Sequence, residues 1–140
     1  MQQLCKFIAV AAVLCSASPS RAAAHQDGVG AMLRAINAIR AARDITLDCP
    51  SYVDRYIGHS DSIRHYLDVF ESAGVGARRT YNPPKHYISF EIDAKRLRKT
   101  PGSRFGHGDR LVIVFATDRA GDDAQVLSCK AVLWAAVPYI

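Results

Sequence analysis

Two groups of residues in this chain have side chains of the kind that chemistry uses. The first is KRLRKTPGSRFGHGDR, residues 95–110, with six Lys or Arg, one His and one Asp. Lys95, Arg96, Arg98 and Lys99 form a cluster, expected on a short helical turn capped by Asp93 with Leu97 packing inward. Arg104 and His107 follow in Thr100–Gly108, broken by Pro101, Gly102, Gly106 and Gly108 and expected to be a mobile tip. Several cations on one connecting segment can hold phosphates, acidic polysaccharide or an acidic protein surface through charge-assisted hydrogen bonds. The same charges also suit a plainer purpose, a solvated loop that keeps a sheet edge from pairing with another chain. Nucleic acid asks for aromatic rings among the cations to stack on bases, and Phe105 alone offers one, which argues against that partner. The expected binding set is therefore Lys95, Arg96, Arg98, Lys99, Arg104 and His107, and the expected partner is an acidic protein surface or an anionic envelope component.

The second group is Gly58-His59-Ser60-Asp61, with His65 four residues after Asp61. These are the residue types of acid–base and nucleophilic catalysis. Neighbours in sequence diverge as side chains, however, and Ser60 reads more simply as a helix cap with Asp61 in the first turn. Asp61, His65 and Asp68 then share a solvated helical face. His59 precedes the helix and is free to turn inward. Together with His107, which sits between two glycines beside Asp109, and with Lys95 or Lys99, it defines the alternative function, a small secreted hydrolase of phosphodiesterase type. The chain has no P-loop, no GxGxxG after a strand, no HExxH and no GxSxG, so no cofactor or metal is expected. The balance favours a binder over an enzyme.

The compartment is legible at the N-terminus. Lys6 is followed by an apolar run from Phe7 to Cys15, and Ala22-Ala23-Ala24 has the small-x-small form of a signal-peptidase site. The run is well short of the roughly 20 residues that span a bilayer. Leu14 before Cys15 argues against lipoprotein processing. Cleavage after Ala24 leaves 116 of the 140 residues, enough for one domain with a modest core. Lys6 and Arg21 leave with the leader, so the net charge of +5 falls to +3. Residues 126–137 are apolar but short and contain Lys130, so no membrane span is expected in the mature chain. Of the four cysteines, Cys49 and Cys129 remain, and an exported chain with two cysteines is expected to pair them. The protein is accordingly expected to be periplasmic or secreted.

The elements that must position these residues follow from hydrophobic spacing. Val29, Met32, Leu33, Ile36 and Ile39 recur at helical offsets and predict a helix over Asp27–Asp44, with Arg40 and Arg43 at its end. Ile63, Tyr66, Leu67, Phe70 and Ala73 predict a second, capped by Ser60 and stopped by Gly74. Ile45–Cys49 is β-branched and reads as a short strand or merely extended chain, and Arg78–Lys85 reads as a proline-bound loop. Residues 86–93 alternate as a strand with one wet face. Residues 110–118 are apolar on both parities, which predicts an interior strand covered on both sides. Residues 124–137 form the last strand, with Leu127, Cys129, Ala131, Leu133 and Ala135 on the core face. The fold class is α+β, two N-terminal helices packed on a three- to four-stranded antiparallel meander. Tyr52, Tyr56, Tyr66, Tyr81, Tyr87 and Trp134 read mainly as core edges, and Tyr81 beside Pro83 and Pro84 as an exposed contact.

Overall fold

A computed structural model describes residues 21–39 and 43–135. The charged start and apolar run of the expected leader lie outside the described residues, as do Arg40 and the last residues of the predicted final strand. The first helix, α1 (Arg21–Asn37), passes over the expected cleavage point after Ala24. Val29, Met32, Leu33 and Ile36 are all buried, as their spacing requires. The helix stops at Asn37, short of the predicted Asp44, so Arg43 lies beyond its end.

The chain then makes β1 (Ile45–Leu47) and a π-helical turn (Pro50–Asp54) that runs into α2 (Arg55–Ile57). A longer helix, α3 (Ile63–Ser72), follows. Its cap is Ser62, whose hydroxyl accepts from Arg64 N, while Ser60 Oγ accepts from Ser62 N. The predicted cap at Ser60 is thus displaced by two residues. The Ser62↔Gln125 bridge and the bond from Val126 N to Asp61 O set the helix start, neither of which is visible locally. Gly74 ends α3 as expected, with a positive φ of 81° and Val75 N bonded back to Phe70 O.

Four consecutive strands form a meander: β2 (Ala77–Asn82), β3 (Lys85–Ile92), β4 (Arg110–Thr117) and β5 (Val126–Trp134). β1 adds to the far side of β5, so the antiparallel sheet has five strands in the order β1-β5-β4-β3-β2. This corrects the expected three or four strands. It also corrects the placing of the helices, since β1 separates α1 from the rest and α4 (Ala94–Leu97) lies between β3 and β4. The strand that sequence missed is β2, read as a loop. All but its first residue are exposed, so it has no apolar alternation, and backbone pairing with β3 defines it.

One face of the sheet carries the core. Leu111, Ile113 and Phe115 of the central strand align with Ile92, Phe90 and Ile88 of β3 and pack beneath the helices. Tyr66 of α3 stacks on Phe115 at 4.4 Å, Phe70 stacks on Phe90 at 4.4 Å, and Phe90 meets Phe115 edge-on. On the other face Val112 and Val114 are only half-buried. β4 is therefore interior within the sheet but is not covered on both sides as predicted. In β5 a register shift opposes Val126 to Thr117 and Ser128 to Ala116, leaving Leu127 as the extra residue of a bulge. Leu127 is consequently 56% exposed, against the predicted alternation, whereas Ala131 and Leu133 are buried as expected. Cys129 keeps its inward parity and is bonded to Cys49 across 80 residues, with a Cα–Cα distance of 6.2 Å. That bond ties the start of the π-helical turn to the sheet. No helix among the described residues is long and apolar enough to cross a membrane.

Candidate functional site

The connection from β3 to β4 is built as a capped turn followed by an anchored loop. Asp93 Oδ1 accepts from Arg96 N at 2.9 Å and so caps α4. Leu97 is fully buried and fixes this turn to the core. Lys95, Arg96, Arg98 and Lys99 all remain exposed around it. The loop beyond is held by α1: the Asn37 amide donates to Gly102 O at 3.0 Å, and its Oδ1 accepts from Arg104 N at 2.7 Å. Ser103 Oγ bonds back to Leu97 O at 3.2 Å, and Phe105 is buried. The segment expected to be a mobile tip is thus pinned at three places. Asn37 was missed because its partners are backbone groups some 65 residues away, a contact that no local pattern records. The buried position of Phe105 also removes the one ring in the segment that could have stacked on a base.

The Arg98 guanidinium lies within hydrogen-bond reach of the exposed His107 ring. Asp109 accepts from Gly106 N at 2.7 Å. The structure does bring the basic set together along one connection. It adds Arg34 of α1, which lines a depression together with Arg96, Lys99, Thr100 and Pro101.

Four other arginines have acidic partners. Arg64 pairs with Asp123 at 3.1 Å, Arg79 with Asp122, Arg110 with Glu91 at 3.3 Å, and Arg119 with Asp118 at 3.9 Å. Among the described residues no carboxylate pairs with Lys95, Arg96, Arg98, Lys99 or Arg104. Such exposed pairs contribute little to stability, commonly below about 1 kcal/mol. What matters here is where the acids are. Four of them partner Arg64, Arg79, Arg110 and Arg119, and among the described residues none partners the five cations gathered on this connection.

The second group assembles differently. His59 Nδ1 lies 3.1 Å from Asp54 Oδ2 and its Nε2 3.3 Å from Asp61 Oδ1, while Tyr66 donates to Asp54 Oδ1 at 2.7 Å. His65 is not on a solvated face but donates from Nε2 to the carbonyls of Ile57 and Gly58, at 3.0 and 2.9 Å. It braces the turn between α2 and α3. The topology sets His59 and His107 at opposite ends of the sheet. His59 adjoins the α3 start that pairs with Gln125 and Val126, whereas His107 precedes Arg110, which pairs with Trp134. The two histidines of the hydrolase reading are not brought to one site. The tyrosines do not converge either: Tyr66 is buried, and Tyr81, 61% exposed, stacks on His86 at the β2–β3 hairpin.

The hydrogen bond that His59 donates to Asp54, then the charge of Asp54, raises the His59 pKa above the ordinary 6.5, with Asp61 adding to it. The charged imidazole is thus favoured in the folded state. Its contribution to stability is fully present below the unfolded value and is lost as pH rises through the raised one. An NMR titration is expected to place His59 above 6.5 and to return it toward that value in Asp54→Asn. An unshifted wild-type midpoint would contradict the geometry. For Tyr66, burial pushes the phenol up to about 12, which keeps it a hydrogen-bond donor throughout the physiological range.

The chain matches no protein family, no curated protein and no solved structure. Fold and site together define a two-layer α+β protein, pinned by one disulfide, with a cationic connection at one end of its sheet.

Proposed function

We propose that this is a small exported binding protein, of inhibitor, immunity or accessory type. It docks an acidic protein surface or an anionic envelope component through the β3–β4 connection. The observation that carries the reading is the clustering of Lys95, Arg96, Lys99 and Arg104 on one anchored connection, with no acidic partner among the described residues, whereas Arg64, Arg79, Arg110 and Arg119 each have one. Anchoring matters because a loop already ordered gives up less entropy when it binds. The N-terminal leader pattern and the Cys49–Cys129 bond fit an oxidising compartment outside the cytoplasm.

The test is a pull-down from the native envelope with the exported chain, whose mass also reads the cleavage after Ala24. An acidic partner is expected, released as salt rises, because exposed charges are screened beyond about 8 Å at physiological ionic strength. A mature chain retaining Met1 would contradict export. A partner held just as firmly at high salt would contradict docking through these charges.

A further inference from the structure

The depression between α1 and α4 is more specific than a diffuse basic patch. Arg34 comes from the last turn of α1, Arg96 from α4, and Lys99 from the turn that follows it. Leu33, Thr100 and Pro101 complete its walls and Gly30 opens one side, and among the described residues no carboxylate lines it. Gly30 stands in mid-helix, where glycine costs roughly 1 kcal/mol relative to alanine. A Cβ built there would sit 3.5 Å from Arg34 Nη1, so the guanidinium lies back over the space that this glycine leaves. Thr100 is 8% exposed, and its Oγ1 is the buried side-chain polar atom with no hydrogen-bond partner among the described residues. A buried hydroxyl without a partner is costly, about 1–3 kcal/mol, and such groups commonly await a ligand or a water.

We propose that the Arg34–Arg96–Lys99 depression is a phosphate-binding site. This deepens the reading above and rests on it in part, since Arg96 and Lys99 belong to both. Two guanidinium forks and an ammonium carry three positive charges and more donors than one carboxylate can use. A phosphate group, with up to two negative charges and three strongly accepting oxygens, matches that set. Rotation about the Thr100 Cα–Cβ bond offers the orphaned hydroxyl as a further donor. The phosphate is either a free ion or the exposed group of an anionic lipid or glycan, and the chemistry at the site is the same.

Gly30→Glu tests the site without touching the loop. A glutamate at this position pairs with Arg34 one turn on, improves helix propensity and fills the depression with negative charge. In the wild type, inorganic phosphate is expected to raise the melting temperature above that in chloride at matched ionic strength. In Gly30→Glu that increment is expected to vanish while the fold persists. Thr100→Val is expected to weaken phosphate binding several-fold, and Arg34→Gln about tenfold, the range for losing a charge-assisted hydrogen bond. Should Gly30→Glu not fold, Arg34→Gln with Arg96→Gln serves in its place. Equal melting in phosphate and chloride would overturn the proposal, and so would an equal phosphate increment in wild type and variant. Phosphatidylglycerol vesicles whose binding inorganic phosphate displaces would identify a lipid headgroup as the source. Vesicle binding that phosphate does not displace would overturn the site as drawn. Phosphate failing here while the acidic partner still binds through the loop would sink this proposal and leave the docking function standing.

Discussion

Phe115→Ala is expected to destabilise the fold by about 3–5 kcal/mol, the range for deleting a buried phenylalanine ring. Phe115 is fully buried on the central strand, where its ring stacks on Tyr66 and meets Phe90 edge-on. Phe90 in turn stacks on Phe70, so a run of four rings joins α3 to β4 and β3. Removing Phe115 opens a void in the middle of that run. Phe90 cannot fill it without leaving its stack on Phe70, nor Tyr66 without straining its hydrogen bond to Asp54, so relaxation should recover little. A domain of this size has only about 5–15 kcal/mol in total, so the variant should be close to unfolding. Urea denaturation reads the loss directly, with Leu127→Ala as a control expected to stay within about 0.5 kcal/mol because that bulge residue is exposed. A loss for Phe115→Ala below about 1 kcal/mol would mean that the core is not where the sheet register puts it.

Loss of the Cys49–Cys129 bond is expected to cost about 2–4 kcal/mol. The bond closes a span of 80 residues, from the start of the π-helical turn to the inner face of β5. An open chain of that length has many more conformations than a closed one, so reduction stabilises the unfolded state more than it disturbs the folded one. The melting temperature under reductant, or in Cys49→Ser with Cys129→Ser, should fall on the order of 10 °C. Two free thiols in the unfolded, unreduced protein would contradict the pairing.

The sequence made the helices and the inner strands legible because their burial is periodic. Val29 to Ile36 and Ile63 to Phe70 mark helical faces, and Ile88, Phe90 and Ile92 mark a strand face. The disulfide was legible for a different reason, from the leader-like pattern at the N-terminus and the count of cysteines left after it. What escaped was set by long-range pairing. β2 is an exposed edge whose only signature is its backbone ladder to β3, and the cap of α3 moved because Gln125 and Val126 hold the residues before it. The bulge at Leu127 inverted the alternation locally. At the basic connection the cluster, its Asp93 cap and the inward Leu97 could be read directly. The anchoring by Asn37 and the contribution of Arg34 could not, because both come from a helix some 60 residues away.

The account turns on whether the β3–β4 cations bind a partner rather than support the fold. Replacing Lys95, Arg96, Arg98 and Lys99 together by serine separates the two. All four are exposed, and the change removes the hydrogen bonds that Arg98 makes with His107 and with Ala94 O. Stability is therefore expected to change by about 1 kcal/mol or less. The affinity of this variant for the partner, measured at low salt beside the wild type, is the most direct measurement. The account predicts a folded variant that binds at least about tenfold more weakly, with a shallower dependence on salt. A folded variant that binds as tightly as the wild type would contradict it and leave the cations as solvated connectors, and a variant that unfolds would make them structural.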